Sequence, residues 1–381
     1  MRKNFFMRIF CIILAIITIA PTAAVSAEEK SYTPCKVMIE ASGRVIIESV
    51  NEDVPVPVGT MAKLMTVLLA AEHIEAGKLS LDSRLKTSEY ANSMQGAQIW
   101  LMPGEEITVD ELLKSVIIGN ANDAAVVLAE KIAGSEEKFA ELMNVRAKEL
   151  GLENTNFTNC NGYYGDDKQI STAYDMAKLC AELSKYDFLR GYFICWRDFV
   201  RGGETELVNS NEAVKDYKGL IGFKAGFSEN AGYCAALGAE RDGVTYISVV
   251  LGCDDKDKSL ADAKSLLTAG FSQYTVFTPE RPKDVPTEIA VRGGMVKTVP
   301  VTSGSIRSVV LPNGASGSVT SRVVMTEYVY APVEKGRKVG EIQFMRNDKM
   351  IFAVDICTDG SAEKMDTKKA LCIILKKLLT F

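Results

Sequence analysis

Apolar and polar positions alternate with a period of two through CKVMIEASGRVIIESV (35–50), on both sides of Ser42-Gly43, and predict a β-hairpin. The period then lengthens. Leu64, Val67, Leu68 and Ala71 recur at helical spacing over 60–75, and Gly77 marks a stop. Thr108-Val-Asp-Glu111 has the spacing of a capping box and opens ELLKSVII, which breaks at GNAN (119–122). DAAVVLAEKIA predicts a helix from Asp123 to Gly134. Another runs from Ser135 to near Gly151, and Thr172-Ala-Tyr-Asp175 caps AYDMAKLCAEL. Residues 60–190 therefore read as mainly helical.

Short period returns in IGFKAGFS (221–228), GYCAALGAE (232–240) and VTYISVVLGC (244–253), a three-strand antiparallel meander. A helix over 261–274 follows. Hairpin, helices, meander and helix in that order imply an α+β domain whose sheet combines both ends of the segment. TPERPKDVP (278–286) is a proline-rich, charged linker, and 287–358 reads as short strands with turn signals, a small β-sandwich. In the last stretch, Ala370, Leu371, Ile374, Leu375, Leu378, Leu379 and Phe381 share one helical face, with Lys369, Lys376 and Lys377 opposite. Ile373 is an exception to this face, and a terminal helix docked on its own domain is the alternative, but a basic amphipathic helix of this kind better suits a membrane interface, so 363–381 is expected to anchor the chain to the cell membrane.

Composition narrows the class. The chain has 381 residues and a formal net charge of −5, with no basic block interleaved with aromatics, so nucleic acid is not an expected partner. Arg2, Lys3 and Arg8 precede an apolar run, IFCIILAIITIA, and AVSA ends at Ala27, so 1–27 is read as an export signal. The protein is expected to work outside the cytoplasm. The cysteines show no CxxC and no regular spacing, and read as small core residues. The single histidine, His73, lies at a helix end, which leaves no multi-histidine metal site.

Candidate chemistry begins at Thr60, three residues before Lys63. A hydroxyl and a lysine at i, i+3 share a helix face, and lysine acts as a base once desolvation or a second cation lowers its pKa. Taken alone the pair is ordinary helix surface. Two further segments change its weight. Asn120-Ala121-Asn122 sits in a break between helices. Lys224-Ala225-Gly226 lies on a strand, where glycine lets a substrate backbone approach.

The order hydroxyl-xx-Lys, polar-x-Asn, Lys-x-Gly resembles the SxxK, SxN and KTG motifs of the D-alanyl-D-alanine carboxypeptidases, low-molecular-mass penicillin-binding proteins related to class A β-lactamases. WLMPGEEITVDELLKSVIIG, NDAAVVLAE, STAYDMAKL, LVNSN, GYC and VVLG also look like family text, and the resemblance covers essentially the whole chain after residue 27. It implies a β-lactamase/transpeptidase-like domain over 28–277, an antiparallel sheet with a helical subdomain, followed by the β-sandwich and the amphipathic helix. It implies acyl transfer on a peptidoglycan stem peptide ending in D-Ala-D-Ala, β-lactams as further ligands, and no metal or organic cofactor. Thr60 becomes the nucleophile and Lys63 its base, with Asn120 and Asn122 beside them. Lys224, Ala225, Gly226, Phe227 and Ser228 become the substrate-binding strand, and the backbone N–H groups of Thr60 and Phe227 the oxyanion site.

The departures fall on reacting groups. Thr60 stands where the family has serine, Asn120 where SxN begins with serine, and Ala225 where KTG has threonine. The extra methyl of Thr60 restricts χ1 and crowds an acyl-enzyme. An amide at 120 does not titrate, and acid–base help is worth roughly 10²–10⁴-fold. Ala225 lacks a hydroxyl that would bond the substrate carboxylate, worth about 1.5–3 kcal/mol, which Ser228 partly replaces. Two readings stand at this point: a D,D-carboxypeptidase with a threonine nucleophile, and a catalytically silent relative that binds peptidoglycan or a wall-synthesis partner. A β-lactamase is a weaker third, because a β-sandwich and a basic tail suit a membrane-bound wall enzyme. Asn161, in TNCNGYYG, faces the cleft or structures its loop; Trp100 and Trp196 read as core or rim aromatics.

Overall fold

In the computed structural model, which describes residues 32–163, 168–368, 370, 371 and 375, the first hairpin and the later meander form one sheet. Its strands are β1 (Cys35–Glu40), β2 (Val45–Val50), β3 (Leu220–Ser228), β4 (Gly232–Arg241) and β5 (Val244–Cys253), in the order β2-β1-β5-β4-β3. Every pairing is antiparallel, and Cys35 lies opposite Leu251. The expected union of the two chain ends is thus made by β1 and β5. The hairpin turn is held by Glu40, whose carboxylate accepts the N–H groups of Ser42 and Gly43.

Strand β3 is the sheet edge, paired only with β4. Its side chains alternate between two layers, as the pleat requires. On one side lie the helices α1 (Lys63–Glu75), α2 (Val109–Ile117), α3 (Asn122–Ala133), α4 (Glu136–Glu149) and α5 (Ala173–Leu183). On the other lies α6 (Lys256–Gln273), which packs Leu260, Ala263, Leu266 and Leu267 against Met38, Leu237 and Tyr246.

Helix α1 departs from the expected one-sided pattern. Residues 63–71 are all buried, because α2, α3 and α5 surround it. A helix enclosed in this way is apolar all round. The box at Thr108 forms as predicted: its side chain accepts from the N–H of Glu111, and Glu111 reaches back to the N–H of Thr108. Helix α6 starts five residues earlier than its apolar pattern, because Asp255 caps the N–H of Lys258 at 2.7 Å and the first turn is charged. The helices Glu89–Asn92 and Asp187–Phe193 and the ribbons 84–86/106–108 and 197–200/205–208 escaped prediction. They are too short to establish a period.

The C-terminal β domain holds a second core around Ile289, Val299, Ile342, Phe344, Phe352 and Ile356. Strand β6 (Tyr274–Phe277) pairs with β9 (Val309–Pro312). Strands β7 (Glu288–Arg292), β8 (Thr298–Ser303), β10 (Val319–Met325), β11 (Tyr328–Tyr330), β12 (Lys338–Arg346) and β13 (Lys349–Thr358) follow the order β10-β12-β13-β8-β7-β11. Strand β8 serves two partners, pairing β7 through residues 298–300 and β13 through 301–303, so the sandwich layers are continuous rather than separate. The expected export signal, 1–27, lies outside the described residues, as does most of 363–381. Of that terminal face, Leu371 and Leu375 are described and exposed. Among the described residues no helix is long and apolar enough to cross a membrane.

Candidate active site

Thr60 does not sit in the helix proper. It belongs to a 3₁₀ turn, Gly59–Ala62, that feeds directly into α1, and Gly59 takes φ +46° to make the turn. Lys63 is the first residue of α1 and is fully buried. Its Nζ donates to Asn122 Oδ1 and to the carbonyl of Asn161, each at 2.6 Å. Asn122 opens α3, and its Nδ2 donates to the carbonyl of Gln95. The amide is therefore clamped from both ends.

Strand β3 closes the site from the sheet side. A Cβ built on Gly226 would stand 2.3 Å from Thr60 Oγ1, so this hydroxyl lies directly on the glycine α-carbon. Any side chain there would displace it. One Cβ on Gly59 would meet Ser228 Oγ at 2.0 Å, which places Ser228 on the same face, where it donates to Asn230 Oδ1. Lys224, two residues before Gly226, also points inward. It is 4% exposed, and its Nζ has no hydrogen-bond partner among the described residues.

Burial pushes the amine of Lys224 down from its ordinary 10.5 to about 7. Lys63 is held well below the usual lysine range, first by burial and then by the positive charge of Lys224. The carboxylates of Asp123 and Glu136 and the thiol of Cys160 pull it back up. A buried amine that holds its proton this weakly is a competent proton acceptor.

The structure thus gathers Thr60, Lys63, Asn122, Lys224, Gly226 and Ser228. Ala225 and Phe227 point the other way. Ala225 packs in the cluster formed with α6, and the Phe227 ring lies 4.7 Å from Tyr233. Both line a cavity of about 170 Å³ with Ser210 and Lys256. The carbonyl of Ala225 accepts from Ser210 Oγ on the open side of β3. Backbone groups two residues apart face the same edge, so the N–H of Phe227 is directed to that open edge too. Asn120 takes φ +56° just before α3, with its Oδ1 buried and unpartnered among the described residues. That oxygen accepts no hydrogen bond from Lys63, whose amine is taken by Asn122 and Asn161.

Several neighbours carried no signal in spacing. The carbonyl of Asn161 is what meets Lys63, while its side chain structures the loop: Oδ1 accepts from the N–H of Tyr163, and Nδ2 donates to Glu136. A Cβ on Gly162 would lie 1.8 Å from the carbonyl oxygen of Gly59 and 2.8 Å from the N of Thr60. This loop is therefore pressed onto the Thr60 turn. In TNCNGYYG the sequence pointed to Asn161, not to this glycine. Asp123 is buried and accepts the N–H groups of Ile99 and Leu101. It holds Trp100 at φ +54° and 67% exposed, a rim residue. Trp196 is half-buried under Lys215 Nζ, 3.7 Å from the ring centroid.

Comparison with known proteins assigns the family and the fold. Residues 22–255 match the family model described as D-alanyl-D-alanine carboxypeptidase. The chain belongs to that family. Residues 273–364 of this family member match the C-terminal domain of penicillin-binding protein 5. It is 32% identical over 367 residues to the D-alanyl-D-alanine carboxypeptidase DacF of Bacillus subtilis, covering 94% of this chain and 93% of that one. It is also 32% identical to DacC of Escherichia coli, with 87% and 86% covered. In fold it superposes on penicillin binding protein 5 from Haemophilus influenzae with a TM-score of 0.79 at 24% identity, covering 88% and 99%. Penicillin-Binding Protein D2 from Listeria monocytogenes, solved in an ampicillin-bound form, matches with a TM-score of 0.57 at 27% identity, covering 62% of this chain and 97% of that chain.

In this carboxypeptidase-family site the unpartnered Lys224 opposes stability. The unfolded chain holds its proton up to about pH 10.5, the folded chain only to about pH 7. The penalty is therefore complete below pH 7 and fades as pH rises from 7 to 10.5. Lys224→Met should stabilise the fold by about 0.5–2 kcal/mol at pH 6. Its advantage over the native chain should shrink by pH 10 in urea melts at the two pH values. An equal advantage at both would contradict the assignment.

Proposed function

We propose that this protein is a D-alanyl-D-alanine carboxypeptidase acting outside the cytoplasm on peptidoglycan stem peptides, with Thr60 as nucleophile and Lys63 as its base. The observation that carries the reading is the Lys63 amine, fully buried and held by Asn122 Oδ1 and the Asn161 carbonyl, one helical turn from a hydroxyl resting on Gly226.

Neutral Lys63 takes the proton of Thr60 Oγ1 as that oxygen attacks the carbonyl carbon between the last two D-alanines. The N–H groups of Thr60 and Phe227 receive the developing oxyanion. The C–N bond breaks, the amine of D-alanine leaves with a proton, and an ester to Thr60 remains. Water attacks the ester, and the shortened peptide departs with Thr60 reprotonated. Lys224 meets the terminal carboxylate with the cation it can hold near neutral pH, and an incoming anion raises its pKa back toward the ordinary lysine value. A β-lactam is opened by the same attack and stays as an ester. Asn120 supplies hydrogen bonds without a titratable proton, and Ala225 supplies no hydroxyl, so turnover is slow. Segment 363–381 attaches the chain to the membrane surface, a reading favoured by the exposed Leu371 and Leu375.

Mass spectrometry of the purified protein with a penicillin tests this. The expected result is a covalent adduct located on Thr60 and faster acylation of Thr60→Ser. If Thr60→Ser combined with Asn120→Ser and Ala225→Thr still forms no adduct, the reading fails and the chain is a binding protein.

A further inference from the structure

Behind Lys63 lies a buried polar cluster that the reaction itself does not use. Glu136, in the first turn of α4, is buried. Its Oε1 accepts the N–H of Cys160 at 3.1 Å, the thiol of Cys160 at 3.0 Å and Nδ2 of Asn161 at 3.3 Å. Its Oε2 accepts the hydroxyl of Tyr90 at 2.5 Å. Every neighbour donates, which is the arrangement of an ionised carboxylate. Burial, and then the charge of Glu136, raises the Cys160 thiol well above its ordinary range; burial and the bond to Glu136 likewise raise Tyr90. Both therefore remain protonated donors.

These bonds converge on one peptide unit. Cys160 presents its carbonyl to Thr66 Oγ1 at 2.6 Å and its N–H to Glu136. Asn161 is held through its side chain by Glu136 and offers its carbonyl to Lys63. Thr66 and Lys63 belong to the same helix, α1. The segment 160–161 is thus bolted between α1 and α4, with Glu136 as the anchor on the α4 side.

We propose that Glu136 is the positioning residue of the base: as a buried anion it fixes the Cys160–Asn161 peptide so that the Asn161 carbonyl holds Lys63 Nζ against Asn122. It acts through that peptide and through its field, not by touching substrate. The charged and titratable groups facing Lys63 are Lys224 from β3, Asp123 from α3, Cys160 from the loop and Glu136 from α4. Those facing the carboxylate of Glu136 are Tyr90, Cys160 and Lys63, and Glu137 lies beside Tyr90.

The proposal rests on Lys63 being the base, and its test separates the two ideas. In protein labelled with ¹³C at lysine Cε, the Lys63 signal is assigned by its loss in Lys63→Arg and titrated by NMR. Glu136→Gln keeps the shape but removes the charge, so Lys63 should titrate at lower pH than in the native protein. The acid limb of penicillin acylation should move the same way, with a plateau about 10–100-fold lower from loss of placement. Glu136→Asp keeps the charge on a shorter stem and should return the titration toward native. A folded Glu136→Gln in which Lys63 titrates as in the native protein would overturn the proposal. Should Glu136→Gln not fold, Glu136→Asp decides: its shorter stem should loosen the Cys160–Asn161 peptide and lower the acylation plateau, and a plateau equal to that of the native protein would overturn it equally. If no protein is acylated but Lys63 still titrates lower in Glu136→Gln, the carboxypeptidase reading fails and only the hold of Glu136 on the Lys63 amine stands.

Discussion

Lys63→Met is expected to lower penicillin acylation by about 10²–10⁴-fold, the range of a lost general base, measured as the second-order rate of adduct formation. Its second consequence separates it from Lys224→Met. Methionine fills the lysine stem, but Asn122 Oδ1 and the Asn161 carbonyl each lose a donor. A buried acceptor left unpaired costs about 1–3 kcal/mol, so this variant should melt lower than the native chain. Lys224→Met leaves no such acceptor, because its amine has no partner among the described residues. Both lysines carry a burial penalty but only Lys63 strands acceptors when lost, so Lys63→Met should be the less stable of the two variants. Equal shifts, or an acylation rate at 63 unchanged within threefold, would remove Lys63 from the reaction.

Gly162→Ala is expected to be the most damaging small substitution in the chain. The new methyl would meet backbone, at 1.8 Å from the Gly59 oxygen, and the residue needs φ +72°. Overpacking of about 1–3 kcal/mol adds to about 1–3 kcal/mol for a strained left-handed residue. A loss of about 2–6 kcal/mol in denaturant unfolding is expected, with acylation lost because the Thr60 turn is pushed. Gly226→Ala provides the contrast. Its methyl meets the Thr60 side chain rather than backbone, so folding should survive while acylation disappears. If Gly162→Ala melts and acylates like the native chain, the loop does not brace the Thr60 turn.

The sequence carried most of the sheet and helix order, because its strands and helices are long enough to show a period. The hairpin at Ser42-Gly43, the cap at Thr108 and the meander all formed where alternation and caps indicated. Elements of four to seven residues, such as Glu89–Asn92 and Asp187–Phe193, did not announce themselves. For the site, residue type and order were enough to nominate Thr60, Lys63, Asn122, Lys224 and Gly226. What remained hidden was contact through backbone. The partner of Lys63 in the loop is a carbonyl, which any residue at 161 would carry. Glu136 sits in a helix turn where an acidic residue is ordinary N-terminal chemistry, so nothing in SEEKF marks it as buried. The strand alternation that sends Ala225 and Phe227 away from Thr60 was implicit in the period of two. It was obscured because the motif is read as consecutive letters.

The pairing of β1 with β5 has a consequence for biogenesis. Cys35 finds its neighbour Leu251 only after nearly the whole first domain has been synthesised, and β1 sits between β2 and β5 in the sheet. Closing so long a loop is slow, and the central layer cannot assemble without it. Until β5 is in place, the turn that carries Thr60 and the strand that carries Gly226 have no common layer to hold them together, so the candidate site appears only with the closed sheet.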